Sequence, residues 1–583
     1  MNKTYRHFLL GLILAAAIFF RFYQIANMPG GLFPDEAANG LDINSMQEGQ
    51  IQPFYERGNG REALFFYMLW GSVEIFGKGP WQHHAVSALV GVLSVLACYA
   101  VARQLLLIGK KDDEQAERRA TVIGLLSAFL MAVSTWHITL SRTAFRANLI
   151  PLFSSLTIYL LLKGYSAQRL RERLIFAFLS GASFALGFYT YIAYRIMVPI
   201  LFVLILWPLL VAIKEKVFTR TLKTYFLPKL AFLAAMLIFI YPLAHYFYTH
   251  PGSFIGRSGQ VSVFNPSLYL VNGEQLSGKP PYGVVVSAAT EVAIVSVTAY
   301  FTQGDLNWRH NISGFSFLPN TVSPFFGVAL LIVTLLAIGY FLMPVRKKGW
   351  WPYAALGVWF WGMLLPVVTT AEGIPHGLRA IGTIPAVFII SALGLYYFWR
   401  ALVRIHQSLH SKTYPVFGYA WKHSLDGWGV WLLRNMFKTA ATLFFLALII
   451  QSYAGYFIYA ANSPEQAYAF RSDLTPVSKY LIERCQKQST YLVLDKFSVQ
   501  TTDYLTSDPK GVFSNPCNVP YKQVDPENSW QLSGLKAKDQ IVFAQSSIFD
   551  IRKFKLYHPK AALVYEVRNK FNQAVMAVYE VGE

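Results

Sequence analysis

Two adjacent carboxylates, Asp35 and Glu36 in Leu32-Phe33-Pro34-Asp35-Glu36-Ala37, stand directly after the first apolar run long enough to cross a bilayer. A carboxylate placed there can take the proton of an attacking hydroxyl or amine. The pair could instead hold a divalent cation or cap the start of a helix, where negative charge is favoured. Arg142, Arg146, Arg195 and Arg379 recur at the ends of other apolar runs. Snorkelling accounts for any one of them, but four on one face predict an anion site, because the guanidinium fork matches phosphate.

The elements that must position these residues are membrane spans. The chain has 583 residues, 54% hydrophobic and only 14% charged, too apolar for a soluble protein of this length. Runs of roughly 20 apolar residues predict about eleven spans: Phe8–Ala26, His83–Ile108, Thr121–Leu140, Leu149–Leu162, Leu174–Tyr191, Ile196–Ile213, Pro228–Tyr248, Val322–Met343, Trp351–Thr369, Ile381–Trp399 and Thr439–Ala460. The net charge of +20 resides largely in short loops between them, which reads as topology ahead of nucleic-acid binding. With those basic loops cytoplasmic, the N-terminus lies inside and Asp35, Glu36 and the C-terminus lie outside the cytoplasmic membrane. Arg21 stands where a signal peptide would need small residues, so the first run is expected to be retained.

Two outer loops are long, 27–82 and 249–321. In the first, Arg61–Trp70 between glycines reads as an interfacial helix. In the second, Ala293–Tyr300 reads as another, followed by the polar Gly304–Asn311, a candidate lid or binding element. The predicted class is a mostly α, polytopic membrane protein: a transmembrane domain over 1–460 and a small extracytoplasmic α/β domain over 461–583. In the latter, strands are expected at Tyr491–Leu494, Gln540–Ala544, Ala561–Val567 and Ala574–Val581, with a helix at Val477–Cys485. Of the three cysteines, Cys98 is within a span, while Cys485 and Cys517 could pair in an oxidising compartment. No spacing suggests a zinc site. His83 and His84, adjacent on a helix, point about 100° apart and are poor co-ligands. Asn311-Ile312-Ser313 is a glycosylation sequon of a length that arises by chance.

Five stretches carry a resemblance: Phe33–Ala37, Gly58–Tyr67, Ser141–Pro151, Tyr189–Pro199 and Pro375–Pro385. Over about residues 1–400 the chain resembles bacterial members of the protein O-mannosyltransferase and aminoarabinose-transferase family, membrane glycosyltransferases of the C-type fold. The resemblance implies an inverting transfer from a polyprenyl-phosphate sugar to a lipid, glycan or protein acceptor, with Asp35 as base and Glu36 orienting it or holding a neighbouring group. It requires no cofactor, a divalent cation being the competing role for the carboxylates. Within these stretches Arg379, Arg142, Arg146 and Arg195 become candidates for the donor phosphate. Arg61, Glu62, Tyr191 and His376 become candidates for binding substrate. Gly60-Arg61-Glu62-Ala63-Leu64 replaces the Lys-Pro-Pro-Leu-type segment of the aminoarabinose transferases, so sugar and acceptor stay open. The alternative function is a transporter or flippase of a lipid-linked sugar, although no internal repeat of the kind transporters carry is apparent. A sensor anchored by its spans would not need eleven of them.

Overall fold

The computed structural model describes residues 2–110, 113–266, 270–271, 274–275, 280–345, 348–411, 428–484, 489–508 and 517–582. Among them, nine helices are long and apolar enough to cross a membrane, and ten spans result if the bent pair Glu114–Ala132 and Thr135–Arg142 is one. The protein is thus a multi-pass membrane protein. A helix also forms at the remaining expected span, over Leu170–Gly187. Arg171, Glu172 and Arg173 in its first turn make it less apolar than the others, so the expected count of eleven is not reached. It packs between Leu149–Ser166 and Phe218–Thr249.

Helix α1 (Lys3–Phe22) ends against the 60° break in the bent pair, and two buried arginines lock this junction. A helix end leaves carbonyls without intrahelical partners. Arg21 donates to the carbonyls of Met131 and Ala132 at 3.2 and 3.0 Å, closing the end of Glu114–Ala132. Arg142 in turn donates to Phe20, Arg21 and Met28 carbonyls at 3.1, 2.9 and 2.7 Å, closing the end of α1. Arg21 thus faces the negative end of the Glu114–Ala132 dipole, and Arg142 that of α1.

In the first long loop, α2 (Pro34–Gln47) follows the first span. Strands β1 (Phe54–Tyr55) and β2 (Arg61–Glu62) then pair antiparallel, with Phe54 opposite Glu62. The expected interfacial helix starts after them, as α3 (Leu64–Phe76). In the second long loop the short helix expected at Ala293–Tyr300 extends over Tyr282–Thr298.

Beyond residue 461 the chain forms a five-stranded sheet. Its order is Lys522–Val524, Thr490–Val493, Gln540–Ala544, Ala574–Val581, Ala561–Arg568, with the first three strands parallel and the last two antiparallel to their neighbours. Four of these strands match the expected runs, and Lys522–Val524, mostly exposed and weakly apolar, does not announce itself. Alternate residues point to opposite faces, so Leu492, Val542 and Val578 meet the helix Leu474–Arg484 while Val493, Ile541 and Phe543 meet Phe554. Cys517 is disulfide-bonded and Cys98 is free and buried; Cys485 lies outside the described residues.

Candidate active site

The residues expected to do chemistry are divided by α2. Phe33 precedes the helix, Pro34 opens it, and Glu36, three positions after Phe33, turns back to accept the Phe33 N–H at 2.9 Å. A Glu at that position satisfies a donor that the helix start leaves unpaired. Glu36 is wholly buried and its other oxygen accepts the Ala144 N–H at 2.6 Å, with His84 Nε2 3.4 Å away. Burial raises its pKa, but His84 and the two N–H groups outweigh burial and hold it below the usual carboxylate value. Asp35 projects the other way, its carboxylate 58% exposed, into a polar cavity of about 650 Å³. The capping reading of the acidic pair therefore holds for Glu36, while Asp35 is left facing the cavity.

Asp35, Asn39 and Asp42 lie on one face of α2, at positions one and two turns apart. Arg61, brought in by β2, donates to Asn39 Oδ1 at 3.0 Å and pairs with Asp42 Oδ2 at 2.7 Å. Burial lowers the Arg61 pKa to about 10 although Asp42 opposes it. Glu62 pairs with Arg146 at 3.1 Å, and the Arg146 guanidinium lies 5.2 Å from the ring centre of Tyr191.

The opposite face of α2 is held by the C-terminal domain. The helix Val499–Thr506 lies so close that a Cβ on Gly40 would stand 2.5 Å from the Tyr504 ring. Tyr504 meets His83 Nε2 at 2.9 Å, Thr501 donates to the Leu32 carbonyl at 3.0 Å, and Lys78 bridges Asn44 Oδ1 and the Ser507 carbonyl at 2.7 and 2.9 Å. The two histidines thus diverge, His83 to Tyr504 and His84 to Glu36. Phe497, packed edge-on against Phe33, and Gln500 line the cavity itself.

Arg146, Arg195 and Arg379 each occupy a short 3₁₀ turn at the head of a span, and all three line the cavity. Arg379 forks onto Glu372, donating at 2.7 Å to both its carboxylate and its carbonyl. Arg195 donates to the Phe254 carbonyl at 2.7 Å and has no carboxylate within 4 Å among the described residues. Arg142, by contrast, is not in the cavity wall: its nitrogens serve the α1 carbonyls and its guanidinium lies beside Tyr456 and Phe457. The phosphate site expected to include Arg142 would have to form without it at this cavity, where its Nη groups are held by the carbonyls of Phe20, Arg21 and Met28.

The second long loop contributes residues that sequence reasoning did not single out. Arg309 reaches Asp35 Oδ2 at 3.7 Å and lies over the Phe33 ring, 3.5 Å from its centre. Asp305, His310 and His376 place one ligand atom each within 4.8 Å of one another. Asp305 Oδ2 accepts from Gly377 N–H at 2.7 Å and from His310 Nδ1 at 2.9 Å, and the two imidazoles stack 4.7 Å apart. Burial raises the Asp305 pKa, yet these donors bring it below the usual value. Two imidazoles and a carboxylate are a zinc-type donor set, although an ion there would displace the His310–Asp305 bond. The nearby Asn311 is buried with its amide donating to Phe315 at 2.6 Å, which removes the sequon from solvent.

Residues 63–248 match the family described as dolichyl-phosphate-mannose-protein mannosyltransferase. Among solved structures, ArnT from Cupriavidus metallidurans in the apo state aligns over 99% of this chain and 98% of its own, at 13% identity and a TM-score of 0.50. The Archaeoglobus fulgidus oligosaccharyltransferase in the apo form aligns over 100% of this chain and 75% of its own, at 12% identity and a TM-score of 0.51. No curated protein sequence matches. At such identities the two structures speak for the fold alone. With the sequence match over 63–248, they bear out the resemblance first seen around Asp35, to the protein O-mannosyltransferase and aminoarabinose-transferase-like membrane glycosyltransferases of the C-type fold.

Proposed function

We propose that the protein transfers a sugar from a polyprenyl-phosphate donor to a hydroxyl or amine acceptor on the outer face of the cytoplasmic membrane. One observation carries this reading. Arg195, Arg379 and Tyr191 line both the polar cavity that contains Asp35 and an adjoining groove of about 280 Å³ walled by Ile196, Val261 and Pro366. A polar chamber with cations at its junction with an apolar groove matches a ligand whose phosphate joins a sugar to a hydrocarbon tail.

In this reading the lipid tail occupies the groove, the phosphate meets Arg195 and Arg379, and the sugar extends toward Asp35. The acceptor oxygen or nitrogen attacks the anomeric carbon from the face opposite the phosphate, and Asp35 takes its proton. The bond from the anomeric carbon to the phosphate oxygen breaks, configuration inverts, and the lipid phosphate departs with its added charge against the two guanidiniums. Arg309 holds Asp35 in place, and Glu36 fixes the helix start from behind. Arg61, Glu62 and Arg146 brace the wall that the sugar would meet. Asp305, His310 and His376 could hold a zinc-type ion beside the acceptor path, which metal analysis of the purified protein tests. No step above depends on it.

The test is incubation of the reconstituted protein with radiolabelled polyprenyl-phosphate sugars. Transfer predicts label in a water-soluble or acceptor-bound product together with released lipid phosphate. Label that crosses the bilayer while staying on its lipid would favour a flippase instead.

A further inference from the structure

A second cavity, of about 340 Å³, lies at the far end of the spans from the catalytic one. The helix Met197–Lys214 starts beside Arg195 in the catalytic wall, and Glu215, just past its end, lines this cavity. Twenty residues at 1.5 Å each separate the two by about 30 Å, one hydrocarbon thickness. Lys110, Arg119 and Lys229 converge here from three different segments, and the rest of the wall includes Tyr165, Tyr225, Trp351 and Tyr353.

None of the three cations makes an ion pair or a side-chain hydrogen bond among the described residues, and Arg119 Nε is buried without a partner. Basic residues favour this face of a membrane protein in general, but solvated loop residues need no shared chamber. Arg119 and Lys229 are half-buried against aromatic and aliphatic walls, where an unmatched charge is costly. Glu215, the carboxylate in the wall, leaves at least two charges unbalanced. The cavity also shares Tyr165, Ile205, Tyr225 and Lys229 with a narrow groove walled by Leu161, Ala177 and Phe232. A cationic chamber opening into an apolar groove favours an amphiphile over a soluble anion.

We infer that this cavity binds the headgroup of an anionic glycerophospholipid from the leaflet opposite the catalytic face, with one acyl chain along the groove. The phosphate would meet Arg119 and Lys229.

Native mass spectrometry on the delipidated full-length protein tests this with phosphatidylglycerol, phosphatidylcholine and inorganic phosphate as separate probes. Wild type should retain phosphatidylglycerol in preference to phosphatidylcholine. Arg119→Gln and Lys229→Gln should each reduce that preference by roughly fivefold, the worth of one cation at a lipid surface. Equal retention of both lipids by wild type would overturn the inference, as would undiminished preference in the variants. Competition by millimolar inorganic phosphate would also overturn it, by identifying a free-anion site. Should a glutamine variant fail to fold, Lys110→Gln at the exposed rim gives the same comparison.

Discussion

Gly40→Ala tests whether the C-terminal domain holds α2, and with it Asp35, in place. The added Cβ would lie 2.5 Å from ring carbons of Tyr504, a side chain that is itself fully buried, so the ring or α2 must move. Overpacking of this kind costs about 1–3 kcal/mol. Displacing the ring also strains the bond to His83, worth about 0.5–1.5 kcal/mol. A loss of about 1.5–4.5 kcal/mol in stability of the α2 contact follows. Because Asp35 is five residues away on the same helix, turnover should fall while the donor, bound by arginines on other elements, keeps its affinity. The assays are denaturation in detergent, limited proteolysis between the two parts, and the split of kcat from donor KM. Tyr504→Ala in the same chain should relieve the clash, so that the double variant is less damaged than the two single losses added together. Wild-type stability and turnover in Gly40→Ala would refute the claim that this contact positions Asp35.

Arg379→Ala should weaken donor binding by roughly 30- to 150-fold, from about 2–3 kcal/mol for a charge-assisted pair, and Lys should recover little because it lacks the fork; equal donor KM in all three proteins would remove Arg379 from the phosphate site. Glu372→Gln should lower the donor KM, since Glu372 now occupies that fork, and an unchanged KM would mean that the phosphate binds elsewhere. Glu36 has a pKa lower folded than unfolded, so its contribution is complete above the unfolded value near 4.5 and is lost as pH falls through the lower folded value. Thermal unfolding midpoints of wild type should therefore decline below about pH 4.5, and Glu36→Gln should flatten that decline; identical pH profiles would contradict the buried-carboxylate account.

Much of this arrangement was legible in the sequence, because membrane spans are written in composition and the expected apolar runs are helical. Asp35 was legible because its position after a span gives it an address. Glu36 was ambiguous, since an acidic residue at a helix start looks the same whether it caps or catalyses, and only the Ala144 and Phe33 contacts distinguish the two. Arg142 misled for a related reason: the sequence gives its depth but not the open carbonyls of α1 that consume its donors. Arg309, Asp305 and His310 went unassigned because a long loop has no periodicity to say which way it folds. The cluster of charge and imidazole within Gly304–Asn311 was the available signal. Phe497 and Gln500 had no signal at all, since their role depends on a domain docking more than 450 residues from Asp35 in sequence.

The account rests most heavily on Asp35 as the proton acceptor. Asp35→Asn keeps the shape of the side chain and removes its basicity. With a radiolabelled polyprenyl-phosphate sugar and an identified acceptor, the account predicts donor binding close to wild type and turnover reduced about 10²- to 10⁴-fold. Unimpaired turnover in Asp35→Asn would contradict it.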